Sequence, residues 1–166
     1  IKKNTLLVCI TTFIVNINAL NLDLDLPKGF QIDVFAEGLN SPRQITETDK
    51  GHIIVGSKKG NEVVALVKNN DETFNQVIIA SDLENPAGVT IYKGDLYIAE
   101  MDTIWVIEKI DLWLKSELTT LPEKKIYMND LPSETWHGLK YIDFGPDGNL
   151  YIPVGVPCNI CLEPQT

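Results

Sequence analysis

The sequence predicts an all-β fold, specifically the opening part of a β-propeller, and three observations carry that reading. Long helical periodicity is nearly absent from the 166 residues. Short β-rich runs alternate with Gly, Asn, Asp and Pro turns. One hairpin pattern recurs three times: "RQITETDKGHIIVGS" (43–57), "AGVTIYKGDLYIAE" (87–100) and "HGLKYIDFGPDGNLYIPVG" (137–155). Their turn glycines, Gly51, Gly94 and Gly148, are 43 and 54 residues apart. A β period of that size, with about four strands per repeat, is the signature of propeller blades. A sandwich also uses short strands but has no reason to repeat one hairpin.

Each element follows in order. In the first repeat, "EVVALV" (62–67) and "FNQVIIA" (74–80) supply the outer strands after the hairpin. In the second, "TIWVIEKI" (103–110) and "KKIYMND" (124–130) do the same. Between them, Ile110–Leu121 reads as a short amphipathic turn or helix. The third hairpin predicts strands at Leu139–Phe144 and Leu150–Val154 around Gly145-Pro146-Asp147-Gly148. The chain thus holds about two and a half to three blades. Propellers close with four to eight, so it reads as the N-terminal part of a longer ring and is expected to be inactive alone. It begins with Ile1 rather than Met, and "CNICLEPQT" carries no stop signal, so both ends read as cut.

Residues 1–19 have the pattern of a secretion signal. Lys2 and Lys3 precede a largely apolar run, Leu6–Ile17, and Ala19 closes an acceptable cleavage site. A membrane span needs about 20 apolar residues, and this run is shorter. A buried N-terminal strand or an uncleaved anchor are the alternatives. The expected mature chain, 20–166, is therefore exported, periplasmic or secreted, without stable membrane insertion. Losing the two lysines moves the net charge from −9 to −11. Such an acidic protein does not track phosphate backbones, which argues against nucleic acid as a partner. Cys9 leaves with the signal. Cys158 and Cys161 remain as an even pair, which in an exported protein reads as a disulfide before a metal site.

The hairpin geometry gathers residues at one rim. Antiparallel neighbours bring the residue before the first strand beside the residue after the second. If Phe144 faces Asn149, His137 falls opposite Val156, near Cys158. The same logic puts Arg43 near Lys58-Lys59-Gly60, and Asn85-Pro86 near Met101-Asp102. His52 lies just after a turn glycine and is expected to be a solvated surface residue. His137, followed by Gly138, is either a functional side chain or a packed loop histidine capped by Trp136.

The block "ETWHGLKYIDFGPDGNLYIPVGVPCNIC" (134–161) closely resembles the soluble sugar dehydrogenases dependent on pyrroloquinoline quinone (PQQ), in particular the sorbosone dehydrogenase-like branch. "LPKGFQIDVFAEGLNSPRQITETDKGHIIVGS" and "NPAGVTIYKGDLYIAE" resemble the first blades of that family. The resemblance runs from about Leu26 to Pro164; "GPDGNLY" alone is common to many propellers. It implies a six-bladed propeller that oxidises a sugar hydroxyl or aldehyde, passes the hydride to the quinone and then to an external electron acceptor, and uses Ca²⁺ to polarise the cofactor. It also implies that His137, in register with Gly145-Pro146, takes the hydroxyl proton. Imidazole titrates near the working pH, as such a base must. Where the glucose dehydrogenase branch holds this histidine with an aspartate, Val156 stands here. Calcium ligands and the arginine over the quinone belong to later blades. Arg43 and Lys140 are the nearby cations for an anionic cofactor, with surface charge as their other reading. Two further functions stay open: a metal-dependent lactonase or hydrolase on a six-bladed propeller, and a non-catalytic binding propeller.

Overall fold

A computed structural model describes residues 24–116, 120–156 and 158–160. The expected leader, 1–19, and Cys161 lie outside the described residues. Residues up to Gly38 form one unit and Leu39 onward another. The described part of the first unit, 24–38, has no strand; a turn closes with Phe30 N–H donating to the Pro27 carbonyl (3.1 Å). No helix among the described residues is long and apolar enough to cross a membrane.

The second unit is built from antiparallel meanders. β1 (Pro42–Glu47), β2 (Ile53–Ser57), β3 (Val63–Lys68) and β4 (Phe74–Ala80) form one four-stranded sheet in that order. β5 (Gly88–Tyr92), β6 (Asp95–Ala99), β7 (Ile104–Ile107) and β8 (Lys125–Met128) form the second. β9 (Asp143–Phe144) and β10 (Leu150–Tyr151) make a two-stranded third. These are two complete blades and the inner hairpin of another.

Burial explains why the blades stack. One face of the first sheet (Ile54, Ala65, Ile79) packs into a common core with Val89, Leu96, Ile98 and Ile107 of the second, all essentially inaccessible to water. Each Val, Leu and Ile among them contributes about 1.5–3 kcal/mol on burial. A short helix, α1 (Ile110–Leu114), places Ile110 and Leu114 one turn apart in that core. It ends well before Leu121, so the helix expected over Ile110–Leu121 is a single turn. A smaller core of Ala99, Ile104 and Ile142 joins the second sheet to the third.

The inner strands are also tied by polar groups. Gln44 on β1 donates from Nε2 to the Ile142 carbonyl (2.7 Å), and its Oε1 accepts from the N–H groups of Val89 (3.3 Å) and Ile142 (3.1 Å). One amide therefore clamps three consecutive blades. Phe144 stacks on Tyr92 at 4.0 Å and meets Tyr97 edge-on, fixing the third hairpin to the second sheet.

That hairpin departs from expectation in length and register. Its strands are two residues each, because Ile142 gives both backbone groups to Gln44 instead of to a partner strand. Pro153 has no N–H to extend the other side. Phe144 faces Leu150, not Asn149. Asp147 accepts the Asn149 N–H (3.0 Å) while Gly145 N–H donates to the Asn149 carbonyl (2.9 Å). Asn149 is thereby drawn into pairing with Gly145, leaving a three-residue loop and a one-residue slip.

Candidate active site

The rim expected from the hairpin logic forms in the structure. A cavity of about 550 Å³ is lined by Lys58, Asn85, Met101, Trp136, His137 and Tyr141, among others. Lys58 follows β2, Asn85 precedes β5 and Met101 follows β6, so each comes from the same end of its hairpin. His137 comes from the loop before β9.

His137 is held in an uncommon way. Its backbone is left-handed, with φ 54°, a region a non-glycine residue seldom occupies without compensation. Its Nδ1 lies 2.9 Å from the Val156 carbonyl oxygen. A carbonyl can only accept, so Nδ1 carries the proton and donates. In the neutral ring Nε2 then holds the lone pair. The resemblance implies a carboxylate to orient this ring, and valine stands at the facing position. The backbone of that valine does the orienting, with an acceptor that side-chain identities do not reveal.

Packing fixes the same geometry. A side chain at Gly155 would meet the His137 carbonyl and, at 2.7 Å, its Cβ. One at Gly138 would meet the Glu134 carbonyl and the Met101 methyl. The two glycines let the loop and the strand exit close on the histidine from both sides. Trp136, 57 % exposed, stands beside the imidazole with ring centres 5.2 Å apart.

Of the two cations offered by the sequence, Arg43 keeps its surface-charge reading and Lys140 does not. Arg43 does lie beside the Ser57–Lys58 segment, since Pro42 pairs with Ser57 and Lys58 N–H donates to the Ser41 carbonyl. Its guanidinium, however, is exposed and turns back to the Pro42 carbonyl (2.8 Å), off the cavity wall. Lys140 is not surface charge: it is 1 % exposed, and its ammonium donates to the carbonyls of Pro132 (3.0 Å) and Gly138 (2.8 Å). Burial pushes its pKa below the ordinary lysine range, while Glu134 and Asp102 pull it back up. The cation on the cavity wall is Lys58, which the sequence placed on the rim but did not single out.

His52 also corrects its expectation. It is 7 % exposed, and its Nδ1 accepts the Lys68 N–H at 3.0 Å. Cys158 is partly buried. No group of three His, Cys, Asp or Glu side chains suited to a metal ion occurs among the described residues.

Comparison with known proteins agrees with this architecture. The chain has a β-propeller fold. It is similar to the holo form of the PQQ domain of pyranose dehydrogenase from Coprinopsis cinerea, with TM-score 0.65 and 15 % identity over 82 % of this chain and 33 % of that one. A carbohydrate-active enzyme of family AA12 from Trichoderma reesei gives TM-score 0.60 and 17 % identity over 76 % of this chain and 33 % of its own. The PQQ-bound aldose sugar dehydrogenase from Streptomyces coelicolor gives 0.53 and 17 % over 75 % and 40 %. The chain spans a third to two fifths of the length of these structures. No model of a known protein family and no curated protein matches the sequence.

Proposed function

We propose that this chain carries the proton-accepting part of a quinone-dependent sugar oxidoreductase, with His137 as the base. The observation that carries the reading is the tautomer: Nδ1 is committed to the Val156 carbonyl, so Nε2 can accept a proton, and His137 lines a cavity large enough for small ligands. A sugar hydroxyl is a weak acid, so hydride departure must be coupled to proton removal. Nε2 takes that proton as the carbonyl of the product forms. PQQ, when bound, supplies the acceptor for the hydride.

The wall residues fit the remaining needs in part. Lys58 offers a cation to an anionic planar cofactor, and Asn85 offers an amide. Trp136 presents an exposed ring face on which the apolar side of a pyranose can lie. The Ca²⁺ that the resemblance implies finds no ligand cluster among the described residues. Export, an external electron acceptor and a Cys158–Cys161 disulfide belong to the same proposal; counting free thiols under denaturing, non-reducing conditions tests the last.

The deciding experiment compares His137→Ala with the unaltered intact protein in single-turnover reduction of bound PQQ by sugar. Bound PQQ is measured separately. The rate is expected to fall by roughly a hundredfold or more, with little loss of cofactor. A near-normal rate eliminates the role, and a loss due wholly to missing cofactor makes His137 a binding residue.

A further inference from the structure

We infer that Lys140 is the positioning residue for His137: its buried ammonium ties together the two ends of the loop, Pro132 to Gly138, that presents the histidine to the Val156 carbonyl. The inference deepens the function proposed above and rests on it for its kinetic arm alone.

The loop has no regular structure of its own. Residues 132–138 contain neither strand nor helix, and within them Gly138 N–H reaches the Thr135 carbonyl only at 3.3 Å. A segment of this kind has little to hold a strained residue in place. Yet His137 sits in the left-handed region with its ring docked at a specific carbonyl. Something must over-determine that conformation.

Lys140 has the chemistry to do it. One ammonium carries three donors on a single atom, enough to serve two carbonyls that converge from the ends of a loop. The two bonds are 2.8 and 3.0 Å long, and charge-assisted bonds are about twice as strong as neutral ones. The backbone of the lysine is itself fixed, because it lies two residues before Ile142, which Gln44 clamps. The latch is therefore anchored to the inner strands of all three blades. It transmits their rigidity to the loop through two hydrogen bonds.

The cost of the arrangement argues against a merely space-filling role. Taking an ammonium out of water is unfavourable unless its donors are satisfied. No carboxylate lies within ion-pair distance of Lys140 among the described residues, although Glu134 and Asp102 are near enough to act on it through space. A methionine would fill the same channel without that cost. It would leave both loop carbonyls unpaired.

The test uses the intact protein loaded with PQQ and Ca²⁺, with glucose as the probe substrate or, failing turnover, the aldose the unaltered protein oxidises fastest. Three variants are compared: Lys140→Met, which removes the donors; Lys140→Gln, which keeps a neutral two-hydrogen donor; and Lys140→Arg, which keeps the charge. The Met variant is expected to lower kcat about tenfold or more, with KM and bound PQQ within about twofold. Gln and Arg are expected to recover part of the rate. Nitrogen-15 histidine NMR supplies an independent arm: the Nδ1-protonated signal of His137 should give way to mixed tautomers in the Met variant and return with Arg.

A folded Met variant with unchanged rate and unchanged His137 signal overturns the inference. So does failure of all three variants to fold, since that makes the lysine a structural residue only. If His137→Ala proves active, the functional reading fails, but the NMR comparison still decides the latch by itself.

Discussion

The two histidines of this chain sit at opposite ends of equivalent hairpins, and the backbone treats them in opposite ways. At the turn end, His52 is buried and its Nδ1 accepts the N–H of Lys68. At the rim, His137 is exposed and its Nδ1 donates to the carbonyl of Val156. The first ring must carry its proton on Nε2, so its lone pair is used up inside the sheet. The second carries its proton on Nδ1, so its lone pair is left for a ligand. What a histidine can do is decided here by which backbone group reaches its inner nitrogen. Proximity to glycine, or exposure guessed from a turn, does not decide it.

The sharpest way to break this contrast is to delete each ring in turn. His137→Ala is expected to cost roughly 10²–10⁴ in kcat while leaving the unfolding midpoint almost unchanged, because the side chain is exposed. His52→Ala is expected to do the reverse. It removes the partner of the Lys68 N–H in a partly buried setting, which costs about 1–3 kcal/mol of stability, and it should not alter single-turnover rates. Denaturant unfolding and stopped-flow reduction of bound PQQ, run on both variants, read the two axes. If both variants lose the same property, the tautomer argument fails.

Much of this site could be read from residues, and the exceptions have physical causes. The repeated hairpins were legible because turn chemistry and strand alternation are local. The convergence of Lys58, Asn85, Met101 and His137 on one cavity was legible because antiparallel pairing leaves no other place for them. The partner of His52 was not legible, and for His137 the sequence placed Val156 opposite but gave no sign that its carbonyl would hold the ring, since both partners are main-chain groups. Lys140 was not legible because a lysine in a hairpin reads as an outward-facing residue; the carbonyls that receive it lie eight and two residues upstream, at the two ends of a loop that folds back. The register slip turns on a single side chain, Asp147, whose hydrogen bond to Asn149 shortens the loop by drawing that residue into the ladder.

A second test sharpens the contrast from the packing side. Gly155 presses directly on His137, whereas nothing comparable confines His52 from the glycine beside it: a side chain at Gly51 would meet only the ends of Lys68 and Glu47, at 3.5 and 3.7 Å. Gly155→Ala is expected to push the imidazole off Val156, lowering kcat by about tenfold at a stability cost of about 1–3 kcal/mol. The measurement is kcat with bound PQQ held constant. An unchanged rate means that His137 tolerates displacement and that its fixed orientation is not needed.

A smaller effect is expected at Trp136. If the exposed ring supports the sugar, Trp136→Ala raises KM by about 2–10-fold, the worth of one aromatic contact of about 0.5–1.5 kcal/mol. kcat should be nearly unaffected, because the tryptophan makes no hydrogen bond to the base. Trp136→Phe should restore most of the KM. A fall in kcat with constant KM instead assigns the ring to holding His137.

The smallest effect separates the two turns themselves. Thr48 braces the first, its hydroxyl oxygen accepting the N–H groups of Lys50 and His52 at 3.3 Å. Asp147 braces the third, its carboxylate accepting the Asn149 N–H (3.0 Å), the Asn149 side-chain amide (2.8 Å) and the Tyr151 hydroxyl (2.9 Å). Those bonds, the Asn149 N–H first, hold the Asp147 carboxyl below its ordinary value of 3.8, while the Thr48 hydroxyl does not titrate. The sign follows from proton binding. Below pH 3.8 the unfolded chain takes up a proton on this residue before the folded chain does, so Asp147 stabilises the fold above that pH. The contribution is lost as pH falls through the lower, folded-state value. Because the carboxylate is fully solvent-exposed, the effect is expected to be modest. Urea midpoints followed from pH 5 to pH 2 in Asp147→Asn and in the unaltered protein measure it as the difference in slope. Asp147→Asn should flatten the acid limb, and Thr48→Val should lower stability evenly across the range. Equal slopes in the unaltered protein and Asp147→Asn would show that the third turn is held by its backbone alone, like a loop with no side-chain brace.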